Sequence, residues 1–174
     1  TSGSNPAAAL GYLLAKRAVR RRGPLYKDTF LSRLTSAGNL RRIANPRTSC
    51  DWLCRDGKIV DAYIADPWCG YIFTSAGYRD LFSWLRLVSR RDWPDRIVKG
   101  LRILLVSGRE DPIGQYGRGP RQVCGRLIKK GHDATLILYE EARHEVLNEI
   151  NREEVWRDLA DWLKSLSSEP EAGE

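Results

Sequence analysis

Val106-Ser107-Gly108-Arg109-Glu110-Asp111-Pro112-Ile113-Gly114 and Tyr139-Glu140-Glu141-Ala142-Arg143-His144-Glu145 are the stretches on which the reading of this 174-residue chain turns. Each follows a short apolar run, Ile103-Leu104-Leu105-Val106 in one case and Ala134 to Tyr139 in the other. The first run, stopped by Ser107-Gly108, predicts a strand buried on both faces; the second is β-branched and leucine-rich, a second strand. Between them a helix is predicted over about 120–130, with Val123, Leu127 and Ile128 on one face and Gly131 as its stop. A last helix is predicted from Asn151, where Asn151 and Glu154 have capping-box spacing, with Val155, Leu159, Trp162 and Leu166 facing inward. Strand–helix–strand–helix order implies parallel strands joined by a right-handed crossover. Residues 101–166 therefore read as the end of an α/β sheet.

Upstream the style is different. Asn5-Pro6 predicts a helix start and Gly23-Pro24 its end. Leu10, Leu13, Leu14 and Ala18 recur at helical spacing, with Lys16, Arg17, Arg20 and Arg21 on much of the opposite face. Residues 25–48 read as irregular, with turn signals at Ala37-Gly38-Asn39 and Asn45-Pro46. From Ser49 to Arg90 the pattern is helical again, broken at Asp66-Pro67 and Gly70, and unusually aromatic. No strand is predicted in residues 1–98.

The net charge of +7 is concentrated near the start, where residues 1–47 contain the single acid Asp28. The final residues are acidic and rich in Ser, Gly and Pro, and residues 167–174 are expected to form a disordered tail. The apolar runs are only strand-length, which excludes a transmembrane helix among them, and no secretory signal opens the chain. The chain starts with Thr1 and contains no Met, which predicts a missing N-terminal part. Cys50 and Cys54 have i,i+4 spacing, but no CxxC occurs and His132 and His144 lie far along the chain. Free thiols in a reducing, cytoplasmic compartment are expected rather than a zinc site.

The chemistry gathers on Asp111 and His144. In a parallel sheet, loops at the carboxyl ends of the strands open into a crevice. Asp111 lies five residues after Val106 and His144 five after Tyr139, so neighbouring strands would bring both side chains to one edge. A carboxylate there can accept the imidazole Nδ1–H, fix the tautomer, and leave the other nitrogen to take a proton from a hydroxyl. Alone, Asp before Pro is an ordinary turn initiator and His near a helix start an ordinary polar surface residue. The joint placement is what points to catalysis. His132, in a turn between Gly131 and Asp133, reads as structural.

Ser107 to Gly114 and Tyr139 to Glu149 resemble the acid and histidine motifs of α/β-hydrolases, in the branch of monoacylglycerol lipases, lysophospholipases and serine aminopeptidase-like proteins. Thr1-Ser2-Gly3-Ser4-Asn5-Pro6 is similar to the loop leaving that fold's sixth strand. Asp51-Trp52-Leu53-Cys54-Arg55-Asp56 and Tyr63-Ile64-Ala65-Asp66-Pro67-Trp68-Cys69-Gly70 resemble its cap. The resemblance implies the C-terminal part of an α/β-hydrolase fold: a helical cap over 1–98 and a core segment over 99–166 carrying the last two parallel strands. It implies Asp111 as triad acid, His144 as triad base, and no metal or cofactor. The G-x-S-x-G elbow of the family is absent from the sequence, so the nucleophile would lie before Thr1. This chain alone is expected to be inactive, and to aggregate unless the N-terminal part of the same fold completes its sheet. The complete enzyme is expected to cleave carboxyl esters of lipid type, with cap aromatics lining an acyl tunnel. The basic segment Arg17 to Arg22 suits an anionic membrane surface, and nucleic acid is a poor fit because no recognised module accompanies the charge. The alternative is a non-catalytic, degenerate relative that keeps the cap as a binding or membrane-surface module.

Overall fold

The computed structural model describes residues 6–167. The Thr1–Asn5 stretch and the predicted tail beyond Ser167 lie outside the described residues. Two parallel strands, β1 (Ile103–Gly108) and β2 (Ala134–Tyr139), pair from Ile103 with Ala134 to Gly108 with Tyr139. Helix α5 (Arg118–Lys129) connects them and α6 (Arg152–Ser167) follows. Both strands and the order of elements are those the periodicity predicts. Residues 103–106 are only half-buried, however, not enclosed on both faces. Within this chain β1 has β2 on one edge, while its apolar side chains are those of a strand with neighbours on each side.

The upstream residues form α1 (Pro6–Arg22), α2 (Thr29–Ser36), α3 (Gly57–Ala65) and α4 (Ser75–Val88). Helix α1 ends at Gly23, whose φ of +89° and amide hydrogen bond to the Val19 carbonyl close the last turn. Its buried face corrects the expected one. Leu10 and Leu13 are 59% and 62% exposed, whereas Ala8, Gly11 and Ala15 are buried against α4. A Cβ on Gly11 would lie 2.5 Å from Phe82 Cε1, so small residues let two helices approach more closely than leucines would. Ala15, Leu31, Tyr78 and Phe82 form the core of this part.

Helix α2 corrects the irregular reading of residues 29–36. Asp28, 2% exposed, caps it by accepting from the Leu31 amide at 3.1 Å, and Gly38 ends the following turn with φ +90°. An isolated antiparallel bridge, Lys27–Thr74, joins the starts of α2 and α4. Residues 49–53 are turns rather than helix, so Cys50 and Cys54 do not share a helical face.

A second core, under β1 and β2, contains Tyr139, Ala142, Val146 and Val155 with Val106, Ile137 and Leu159 packed on it. On α5, Val123 and Leu127 are buried but Ile128 is exposed. On α6, Leu166 is exposed rather than inward. Asn151 does not form the reciprocal capping box. Its amide donates to Glu154 Oε2 at 2.8 Å, and its carbonyl oxygen accepts from Arg55. His132 is buried, with Nε2 2.8 Å from the Pro94 carbonyl. No helix among the described residues is long and apolar enough to cross a membrane.

Candidate active site

Parallel pairing carries β1 and β2 to the same edge, and there the loops after them cross. The Arg109 amide donates to the Tyr139 carbonyl and the Glu110 amide to the Ala142 carbonyl, both at 2.9 Å. Gly108 makes the crossing possible. A Cβ at this position would collide with the carbonyl groups of Ala142 and Arg143, so only hydrogen lets the second loop pass over the end of β1.

The loop after β1 wraps around one carboxylate. Asp111 is 6% exposed. Its Oδ1 accepts from the Ile113 amide at 2.8 Å, and its backbone carbonyl accepts from the Tyr116 amide at 2.8 Å. Gly114 leaves room for the other oxygen, since a Cβ there would lie 2.9 Å from Asp111 Oδ2. Across the crossing, His144 Nδ1 stands 3.0 Å from Asp111 Oδ1. An ionised carboxylate only accepts, so Nδ1–H donates, and Nε2 has no partner among the described residues.

Burial alone would push the Asp111 carboxyl up. The hydrogen bond from His144, the electrostatic attraction between the two groups and the amides of Ile113 and Gly114 outweigh it and hold the group below its ordinary range. The acid therefore stays ionised at neutral pH while shielded from water. Such a group can hold and polarise an imidazole without exchanging protons with solvent.

The imidazole is exposed on one side and rests against Trp52, with ring centroids 5.1 Å apart and planes tilted by 45°. Backbone bonds tie the same segments: His144 N to the Trp52 carbonyl at 3.4 Å and Glu145 N to the Leu53 carbonyl at 2.7 Å. The structure thus brings Asp111 and His144 together and leaves His132 apart on Pro94.

Several residues of the site were not predicted from sequence. Glu149 is fully buried and binds Arg55 and the Arg143 amide. Arg143 reaches the carbonyls of Asp51 and Cys54. These residues lie in the stretches that resemble family motifs, but nothing local assigns them these contacts, because Arg55 is 94 positions from Glu149 and Arg143 is 92 from Asp51. Gly108, in Ser107-Gly108, reads in sequence as a strand stop and, with Pro112 and Gly114, as part of a sharply bending loop, but not as the point where two loops cross.

A carboxyl esterase from Bacillus coagulans is 25% identical to the chain, with a TM-score of 0.82 over 95% of this chain and 54% of that one. A lipase in its open form is 23% identical, with a TM-score of 0.80 over 91% and 54%. A monoacylglycerol lipase from Paleococcus ferrophilus is 22% identical, with a TM-score of 0.57 over 89% and 65%. The chain spans about half the length of the first two. No curated protein matches it. The helices and two parallel strands are those of the C-terminal portion of an α/β-hydrolase fold. The family model described as Serine aminopeptidase, S33, matches residues 4–151, and the chain belongs to that hydrolase family.

Proposed function

We propose that Asp111 and His144 are the acid and base of a Ser–His–Asp triad in an esterase that cleaves carboxyl esters, with the serine outside this chain. The observation that carries the reading is the 3.0 Å Nδ1–Oδ1 contact at the carboxyl edge of the sheet, made by a carboxyl held ionised. Similarity to a carboxyl esterase supports it. In the complete enzyme, serine attacks the ester carbonyl as His144 Nε2 takes its proton, which then goes to the departing alcohol. Water, deprotonated by the same nitrogen, attacks the acyl-enzyme and releases the acid. Asp111 holds and polarises the ring in both stages.

The substrate class is an ester with an acyl chain, such as a monoacylglycerol or lysophospholipid, and residues 1–98 act as the cap that selects it. The exposed Leu10, Leu13, Trp68, Tyr71 and Trp84 supply apolar surface for such a chain. A chain-length series of p-nitrophenyl esters on the full-length protein, alongside labelling by a fluorophosphonate, tests the reading. Acylation of one serine and a preference for medium or long chains over acetyl are expected. Absence of labelling would remove the enzyme reading, and preference for acetyl would remove the lipid.

The missing G-x-S-x-G favours a second reading, a non-catalytic relative acting as a binding module. In either case α1 suits a peripheral place at an anionic, cytoplasmic membrane surface. Arg17, Arg21 and Arg22 adjoin exposed Phe30 around a cleft of about 200 Å³. Co-sedimentation with vesicles should rise with anionic lipid, and binding indifferent to it would exclude this role.

A further inference from the structure

We infer that Glu149 is a positioning residue: with Arg55 it latches residues 51–55 onto the His144 loop and so holds the imidazole over Asp111. The inference rests on His144 being the base proposed above, and it concerns what keeps that base in place.

Glu149 is 0% exposed. An ionised carboxylate offers about four acceptor positions, and all are used here. Oε1 accepts from the Arg143 amide at 2.8 Å and the Arg55 amide at 3.2 Å. Oε2 accepts from Arg55 Nε at 2.9 Å and the Ile150 amide at 3.2 Å. One side chain thereby joins the cap segment to both sides of His144. The Arg143 amide belongs to the residue bonded directly to the base, so Glu149 acts one peptide unit from it.

Arg55 completes the latch. Its Nη1 donates to Glu141 Oε2 and its Nη2 to Asn151 Oδ1, each at 2.9 Å. The planar fork thus spans the loop from its start, at Glu141, to the entry of α6. Lys offers no such fork. Trp52, three residues earlier, is then held against the imidazole face.

The charge of Glu149 gives the arrangement its stiffness. A buried carboxylate loses its hydration and is tolerated only while its partners stay in place. Lifting residues 51–55 or tilting the His144 loop would strip Arg55 and Arg143 from it together. A plain surface salt bridge would yield to such movement at little cost. This one resists it, and the resisted movement is the one that would lengthen the Asp111–His144 bond.

The test reads the histidines directly. This chain contributes two, assigned in the full-length protein by the signals lost in His144→Ala and in His132→Ala, and each ring nitrogen with a buried acceptor gives a low-field proton resonance: His144 Nδ1 on Asp111, and His132 Nε2 on the Pro94 carbonyl. His132 serves as the folding control. In full-length Glu149→Gln the new amide group faces N–H donors, and the His144 resonance should disappear while that of His132 remains. Glu149→Asp keeps the charge and should recover part of it. On the best ester substrate, Glu149→Gln should lower kcat about a hundredfold, the cost of misplacing a catalytic group by about 1 Å, with KM little changed. A native His144 resonance and native kcat in Glu149→Gln would overturn the inference. If that variant loses the His132 resonance too, Arg55→Lys decides: a weakened His144 resonance supports the latch and an unchanged one overturns it. The resonances are independent of turnover, so loss of the His144 resonance alone in Glu149→Gln supports the latch even if no ester is cleaved. Such a protein would refute the enzyme and leave the positioning intact.

Discussion

Gly108→Ala adds one methyl group where two backbone segments cross. Gly108 is not among the glycines with positive φ, so the backbone would accept alanine and only space is at issue. The added Cβ would lie 2.5 Å from the carbonyl carbon of Ala142, against at least 3.4 Å for ordinary contact, and closer still to the carbonyl oxygens of Ala142 and Arg143, so the crossing must open by about 1 Å or more. Neither obstacle is a side chain that can rotate away; both belong to the backbone just before His144. If that loop takes up the shift, the 3.0 Å Asp111–His144 bond stretches beyond hydrogen-bond range. Overpacking of this kind costs about 1–3 kcal/mol in stability. Misplacing a catalytic group by about 1 Å costs on the order of 10²-fold in rate. The assay is urea denaturation followed by tryptophan fluorescence, paired with ester hydrolysis by the full-length protein. A native urea midpoint together with kcat/KM within a factor of about two would show that the crossing does not hold the His144 loop in place, since a 10²-fold effect could not be hidden there.

The remaining expectations concern single groups. In the complete enzyme His144→Ala should remove nearly all turnover, and Asp111→Asn should lower the rate on the order of 10⁴-fold, measured by steady-state hydrolysis. Asp111 also predicts a pH dependence. Its folded pKa lies below the ordinary 3.8, so the stability it contributes is complete above that value and is lost as pH falls towards the folded one. Acid titration of the unfolding midpoint should show this loss, and Asp111→Asn should flatten that part of the curve. Gly11→Leu should push α1 off Phe82 and lower stability by about 1–3 kcal/mol in thermal melts, whereas Leu13→Ala, at an exposed position, should change it little. The chain of residues 1–174 alone should aggregate at a rate that rises with concentration in light scattering, through the edge of β1 away from β2; a soluble monomer with a sharp melt would count against this.

The amino-acid sequence alone determined the elements whose signal is local. Ile103–Val106 and Ala134–Tyr139 are strands because short apolar runs bounded by turn residues have no better way to bury themselves. Pro6 and Gly23 bound α1 because one ring and one positive φ act within a single turn. Asp111 and His144 were legible for the same reason: each sits a fixed distance beyond its strand, and parallel order brings both to one edge. Tertiary structure decided what depends on distant neighbours. Leu10 and Leu13 have the spacing of a buried face, but α4 approaches along Ala8, Gly11 and Ala15, where small side chains allow closer packing. Asp28 became a buried cap because the Ser75 hydroxyl donates to its carboxylate and its own amide donates to the Phe73 carbonyl. Glu149 shows the limit most clearly. In sequence it is one acid among many, and its four donors assemble only when residue 55 folds onto residues 143 and 150. The energy of a buried charge belongs to all the groups that surround it, so no local window contains it.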